Sequence, residues 1–443
     1  MTAFTHDGPG TAEEVWQRAF LERQVTRTSY GDLLAGHDRL ILVAAHPDDE
    51  TLGAAGLLSA AGDAGLATSV LLLTDGEGSH PQSPTVTPDE LARVRRREGA
   101  AAVDLLHPRA QVHHLGLPDT AVADHWLEAA TTIVDLVDGR GPRTLLVAPW
   151  RCDGHSDHEA AGRAAAAAAY RTDARLLEYP IWWWHWAEPD QTPWQDLLAV
   201  DLPSQALQRK RAAISLHRSQ IEPLSDQPGD EVLLSPELLS HALRGDEWFV
   251  VQPPADTALD DLHGEIADPW QVEDSWYERR KRAVTLAALT RDHFARGLEL
   301  GCSIGRLTAD LADRTDRLLA VDASAHAVSA ATRRLSGDDS VSVQQRVLPG
   351  QWPDGEFDLV VISEVGYFLS PNALHQVRDR VNASLAADGE LVLCHWRHPV
   401  RGWPLDGDAV HRSFVDSDEW KVVVSHHESD FRLDVLTRAD GPR

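Results

Sequence analysis

The stretch Arg-Leu-Ile-Leu-Val-Ala-Ala-His-Pro-Asp-Asp-Glu, residues 39–50, decides the reading of the first half. A short apolar run that stops abruptly at a polar cluster is the pattern of a buried parallel strand. Similar runs recur at 67–74, 111–117, 143–149 and 174–183. Helical stretches at 90–106 and 158–171 fall between them, and a helix at 204–220 and a strand at 247–252 close the unit. Strands alternating with helices predict βαβ units and a doubly wound sheet.

Residues 253–269, PPADTALDDLHGEIADP, are polar and lack strong periodicity, and they are read as a linker. The alternation then restarts with GLELGC (297–302), RLLAVD (317–322), VSVQQRV (341–347), FDLVVIS (357–363) and GELVLCHW (389–396). It ends on KVVVSHHE and FRLDVLT, which read as an antiparallel pair. The expected architecture is α/β: two doubly wound Rossmann-like domains in tandem, each a mostly parallel sheet flanked by helices. The domains are expected at 1–252 and 270–443.

Composition narrows the function. Hydrophobic residues at 43% and charged residues at 25% make an ordinary soluble balance. The first twenty residues show no basic start followed by an apolar run, so they read as a frayed polar terminus rather than a secretory signal. No apolar stretch has bilayer length. A net charge of −28 repels nucleic acid and anionic lipid, so neither is an expected partner. Three scattered cysteines, Cys152, Cys302 and Cys394, with no C-x-x-C pair, oppose a disulfide scaffold and point to the cytoplasm.

Two polar clusters carry chemistry in the first half. His46-Pro47-Asp48-Asp49-Glu50 ends one apolar strand, and Cys152 to Glu159 (CDGHSDHE) follows another. Ligands in open α/β sheets sit beyond the carboxyl ends of strands, so two such ends can converge on one ion. His46, Asp49 and His158 offer two nitrogens and one oxygen, a set that suits catalytic zinc with an open, water-filled position. Zinc would lower the pKa of that water towards about 7. Asp48 is left to act as general base, and His155 to stabilise an oxyanion and protonate a leaving amine. Asp157 could orient His155. Alone, each motif is weak, because Asp49 and Asp157 could simply cap helices. A two-histidine, one-carboxylate iron site is the chemical rival, although it usually occupies a β-barrel.

With both motifs in hand, this half resembles the PIG-L or LmbE-like zinc deacetylases over roughly the first 250 residues. Ser156 stands where that family often has proline. The resemblance implies removal of an N-acetyl group from an N-acetylglucosaminyl conjugate. It implies metal on His46, Asp49 and His158, the base at Asp48 and a polarising His155. Family-like positions after the turn TDGEG (74–78) are Arg95 and Asp119, expected as sugar-hydroxyl contacts. A helix salt bridge for Arg95 and a turn for Asp119 are the plainer alternatives. Trp182, Trp183, Trp184 and Trp186 surround His185 and are expected on a strand. One face would then pack in the core and the other could offer an aromatic wall.

In the second half, Glu299, Gly301 and Gly305 form a strand–loop–helix turn, and Asp322 ends the next strand about 20 residues on, where an acid grips ribose hydroxyls. The stretch resembles class I S-adenosylmethionine-dependent methyltransferases. The segments SWYERRKRAVTLAAL and ISEVGYFL are similar to the nodulation-type N-methyltransferases, over about 270–443. That resemblance implies S-adenosylmethionine as cofactor and methylation of a deacetylated sugar amine. Candidate groups around the amine are Glu364, Tyr367, Tyr277 and His395, for which helix packing or a strand end is the plain alternative.

A deacetylase exposes an amine and an N-methyltransferase consumes one. The combined expectation is a bifunctional enzyme that takes a small amino-sugar conjugate and uses zinc, or another divalent metal, and S-adenosylmethionine. Separate targets for the two activities, including O-methylation, and a non-catalytic sugar-binding scaffold are the alternatives.

Overall fold

The computed structural model describes residues 10–441. The chain divides into two compact units, Met1–Ala255 and Asp256–Arg443.

In the first unit the apolar runs at 39–44 and 144–149 form strands whose side chains are covered on both faces. β1 is Thr26–Thr28, β2 Arg39–Ala44, β3 Ala67–Leu72 and β4 Gln111–His114. β5 is Thr144–Pro149, β6 Arg175–Tyr179, β7 Leu197–Asp201 and β8 Asp246–Val250. They lie in the order β1-β7-β8-β6-β5-β2-β3-β4. The segment β6-β5-β2-β3-β4 is parallel, and β8 runs antiparallel to both β6 and β7. The chain reverses its direction of travel across the sheet between β2 and β5, so a crevice opens at their carboxyl ends.

Helix Asp49–Ala64 follows β2 directly, and packs with helices Pro88–Leu106 and Ser204–Ile214. Helix Pro88–Leu106 starts with a capping box, Thr87 with Glu90, and a proline in its first turn. Helix Ser156–Thr172 follows β5, and its run of alanines is buried. Alanine has the highest helix propensity and the smallest cross-section of the chiral residues. That lets this helix lie close to its neighbours.

Three expectations change here. Trp183–Trp186 is a short helix, not a strand. The Asp153 carboxylate accepts from the backbone N–H groups of Ile181 (2.9 Å), Trp182 (3.0 Å) and Trp183 (2.9 Å), which turns the chain into a helix start. Trp183 and Trp184 go to a core cluster with Trp16, Trp150 and Trp248. Of the expected frayed terminus 1–20, residues 1–9 lie outside the described part. Beyond them Glu13–Glu22 is a helix with Trp16 fully buried. Within the expected linker 253–269, Ala258–Glu265 is a helix, and its Asp260 accepts from Ser324 Oγ at 2.7 Å.

The second unit contains β9 Gly297–Leu300, β10 Leu318–Asp322, β11 Val341–Gln345, β12 Phe357–Ser363, β13 Leu385–Trp396, β14 Trp420–His427 and β15 Phe431–Arg438. Their order is β11-β10-β9-β12-β13-β15-β14, with the first five parallel, β15 antiparallel to β13, and β14 antiparallel to β15. The reversal point lies between β9 and β12. Among the described residues no helix is long and apolar enough to cross a membrane.

Candidate functional site

The two polar clusters of the first unit follow β2 and β5, the strands that flank its reversal point. The fold brings them together. His158 Nε2 lies 3.2 Å from Asp49 Oδ1, and His46 Nδ1 lies 3.7 Å from Asp49 Oδ2. The imidazole centroids of His46 and His158 are 5.5 Å apart. One ligand atom from each of His46, Asp49 and His158 falls within 4.8 Å of the other two.

Each histidine has a second nitrogen held by carboxylate. His158 Nδ1 is 2.7 Å from Asp153 Oδ2, and His46 Nε2 is 3.1 Å from Asp119 Oδ1 and 3.3 Å from Asp157 Oδ2. A carboxylate on one ring nitrogen fixes the tautomer and leaves the other nitrogen as a metal donor. His158 Nε2 is fully buried and makes no hydrogen bond. An unsatisfied buried nitrogen facing a carboxylate fits a cation between them. Burial opposes protonation of His46, but Asp119, Asp157 and Asp49 outweigh it and raise its pKa. For His158, burial is likewise overcome by Asp49 and Asp153, up to about 9. A divalent ion would replace those protons.

Asp48 lies in the chain between His46 and Asp49 and is buried. Its backbone has φ 138°, a conformation that L side chains rarely adopt. Burial pushes its carboxyl up, with Arg95 opposing and Asp49 reinforcing. His155 is half-buried, with its ring centroid 5.1 Å from His46 and 4.8 Å from His158. Trp182 stacks 6.3 Å from it.

Several assigned partners differ from expectation. Arg95, expected at the sugar hydroxyls, is buried. Its guanidinium donates to Gly76 O (2.8 Å), Pro47 O (2.9 Å) and Asp48 Oδ2 (3.1 Å), so it clamps the loop that carries Asp48. Asp119 stands against His46 and accepts from Gly78 N–H at 2.7 Å. Burial opposes its ionisation, but His46 and the Gly78 amide hold its pKa below the usual range. The Asp157 carboxylate engages His46 and the N–H groups of Thr120 (2.8 Å) and Val122 (3.3 Å). It is the Asp157 backbone N–H that reaches His155 Nδ1, at 3.2 Å. Asp153 was missed as a functional residue. Its signal was its place five residues before His158 in an acid-rich loop.

In the second unit, Glu299 is buried near the end of β9 with Oε2 lacking a hydrogen-bond partner, and burial pushes its carboxyl up to about 8. Gly301 has φ +72°, and a Cβ there would come 2.5 Å from Val365 Cβ. Gly305, at φ +77°, caps the following helix Arg306–Ala312. Asp322 ends β10 and accepts from the N–H groups of Ser303 (2.9 Å) and Ser324 (2.9 Å). A tight glycine turn, an unsatisfied buried acid and a strand-end carboxylate fit an adenosyl cofactor.

Glu364, Tyr277 and Tyr367 converge. The Tyr277 phenol donates to Glu364 Oε1 at 3.3 Å, and the Tyr367 phenol donates to Oε2. Lys281, which the sequence reading passed over, donates to Oε1 at 2.6 Å. His395 does not join them as an acceptor for substrate. It is fully buried, its Nε2 accepts from Gly366 N–H at 3.2 Å, and its Nδ1 faces His411 Nε2 at 3.2 Å. His411 Nδ1 in turn lies 2.6 Å from Asp434. Burial, with His411 and Lys281, holds the His395 pKa well below its ordinary value.

Comparison with known proteins divides the chain in the same way. Residues 41–169 match the PIG-L family, described as GlcNAc-PI de-N-acetylase, and residues 256–409 match the family Nodulation protein S (NodS). Nodulation protein S of Rhizobium tropici is 30% identical over 135 residues, 30% of this chain and 57% of that protein. Diacetylchitobiose deacetylase of Thermococcus kodakarensis is 30% identical over 126 residues, 28% of this chain and 46% of that protein. The chain thus spans about half to three-fifths of the length of these curated relatives. The crystal structure of N-methyltransferase NodS from Bradyrhizobium japonicum with S-adenosyl-L-homocysteine is 24% identical with a TM-score of 0.38. It covers 41% of this chain and 97% of that one.

Proposed function

From the premise that the chain joins a PIG-L deacetylase domain (residues 41–169) to a NodS methyltransferase domain (256–409), we propose that it removes the acetyl group from an N-acetylglucosaminyl conjugate and then N-methylates the exposed amine. The observation that carries the first step is the shared position of Asp49, within 3.7 Å of imidazole nitrogens from two different strand ends.

His46, Asp49 and His158 would hold a divalent ion, zinc by its ligand chemistry, and that ion would supply Lewis-acid polarisation of the amide carbonyl and of water. Asp48 takes the proton of the attacking water. Arg95 keeps the Asp48 carboxylate in place, within reach of the attacking water. His155, beside both ligand histidines yet partly open, stabilises the developing oxyanion and gives a proton to the leaving nitrogen. In the second unit the Gly301 turn, Glu299 and Asp322 would hold S-adenosylmethionine, which supplies an activated methyl group.

Incubating the full chain with zinc, S-adenosylmethionine and an N-acetylglucosaminide, followed by mass spectrometry, tests the scheme. Loss of acetyl followed by gain of one methyl is expected, and a chelator should block both. Pre-deacetylated substrate should still be methylated in the presence of chelator. Deacetylation of several substrates with no later methyl gain would break the sequential scheme.

A further inference from the structure

Glu364 follows β12 immediately and sits in the left-handed region at φ +57°, a strain typical of residues held for function. Its carboxylate meets four donors. Lys281 Nζ and the Tyr277 phenol reach Oε1, and the backbone N–H of Trp396 (3.0 Å) and the Tyr367 phenol reach Oε2. A carboxylate has about four lone-pair positions, so this one has none to spare for a substrate proton. Lys281 is buried, donates also to Glu278 at 2.7 Å, and compensates the charge.

The consequence falls on the two phenols. Each tyrosine has a single hydroxyl hydrogen, and both are spent on Glu364. Towards anything seated beside them, the phenolic oxygens can only accept. Burial, reinforced by Glu364, raises both tyrosine pKa values, so they stay protonated and the arrangement persists at neutral pH. The trio also lies next to the cofactor turn. Val365, the residue after Glu364, is the side chain against which Gly301 packs.

We propose that Tyr277 and Tyr367, oriented by Glu364, select a primary amine as methyl acceptor by accepting its two N–H hydrogens, and so limit transfer to one methyl. The inference rests on the N-methylation reading above. A neutral primary amine offers two hydrogens and one lone pair, and the two acceptors leave that lone pair pointing away from them. The nitrogen pair then forms the N–C bond, the C–S pair stays on sulfur, and the resulting ammonium releases one proton to water. An alcohol has only one hydrogen to offer. A second transfer would require the new methyl to face a phenolic oxygen, where a C···O contact needs about 3.3–3.6 Å against about 2.9 Å for N–H···O.

The test uses the full chain saturated with S-adenosylhomocysteine, titrated calorimetrically with chitobiose (free amines) and with cellobiose (hydroxyls in their place). Chitobiose is expected to bind more tightly. Tyr277→Phe and Tyr367→Phe should each weaken chitobiose about five- to tenfold, the value of one lost hydrogen bond, without changing cellobiose or S-adenosylhomocysteine affinity. With S-adenosylmethionine and chitobiose, the native chain should add one methyl per amine, and the Phe variants should add a second. Phe variants with native chitobiose affinity and strictly single methylation would overturn the proposal. Should Tyr367→Phe lose S-adenosylhomocysteine binding through misfolding, the less buried Tyr277→Phe decides alone. A native chain that leaves amines unmethylated removes the N-methylation reading itself, and this selection with it.

Discussion

His158 and Asp153 form a buried pair, Nδ1 to Oδ2 at 2.7 Å, and the same carboxylate also gathers three backbone amides from the loop after β6. Asp153 therefore orients the His158 ring and shapes the neighbouring loop at once. Asp153→Asn should weaken metal affinity about 10- to 100-fold, the usual effect of removing a carboxylate behind a ligand histidine. Competition with a fluorescent chelator measures it, and native affinity in the variant would refute the role.

Asp48 and Arg95 should separate chemistry from support. Asp48→Asn is expected to lower kcat for deacetylation about 10²- to 10⁴-fold while leaving metal content intact. Arg95→Met leaves the buried Asp48 carboxylate without its cation, and losing one member of such a pair destabilises by about 3–5 kcal/mol. Thermal unfolding and metal analysis of both variants distinguish the two outcomes.

Gly301→Ala should abolish cofactor binding. The residue needs φ +72°, and its new methyl would meet Val365 at 2.5 Å in the turn expected to face the cofactor. Isothermal titration with S-adenosylhomocysteine should show at least a tenfold loss, with the deacetylase unaffected.

Glu299 sets a pH dependence. Its carboxyl rises from 4.5 to about 8 on folding. Below 4.5 it is protonated in both the folded and the unfolded chain. Between 4.5 and 8 the folded state binds the extra proton, so stability falls as pH rises through that window. The S-adenosylhomocysteine-sensitive unfolding transition should drop by an amount of order a few kcal/mol from pH 5 to 8. Glu299→Gln should flatten it, and a flat profile in the native chain would contradict this reading.

Much of the site was legible because it depends on strand ends. Apolar runs halting at His46 and before Cys152 announced both polar loops, and the pairing of β2 with β5 in the sheet brings them together. What failed depends on contacts across the sequence. The tryptophan run looked like a strand because Trp favours strands, but Asp153, some thirty residues earlier, caps it into a helix. Arg95 and Arg96 are neighbours on one helix. No local pattern tells which faces the loop, and the structure buries Arg95 while Arg96 pairs with Asp75. His395 was a fair candidate as a strand-end histidine. Its burial against His411 and Asp434 comes from a helix and a strand that follow it in the chain.

The backbone at position 48 carries a lesson about durability. Sterically it asks for glycine, yet it holds an acid, and Arg95 is committed to that acid. Heat selection on this chain should therefore run into a two-residue trap. Glycine alone would relax the loop but strand a buried guanidinium, whereas glycine together with an apolar residue at 95 would gain robustness. The survivors of such a screen would be sturdier proteins without the carboxylate that the proposed amide cleavage needs.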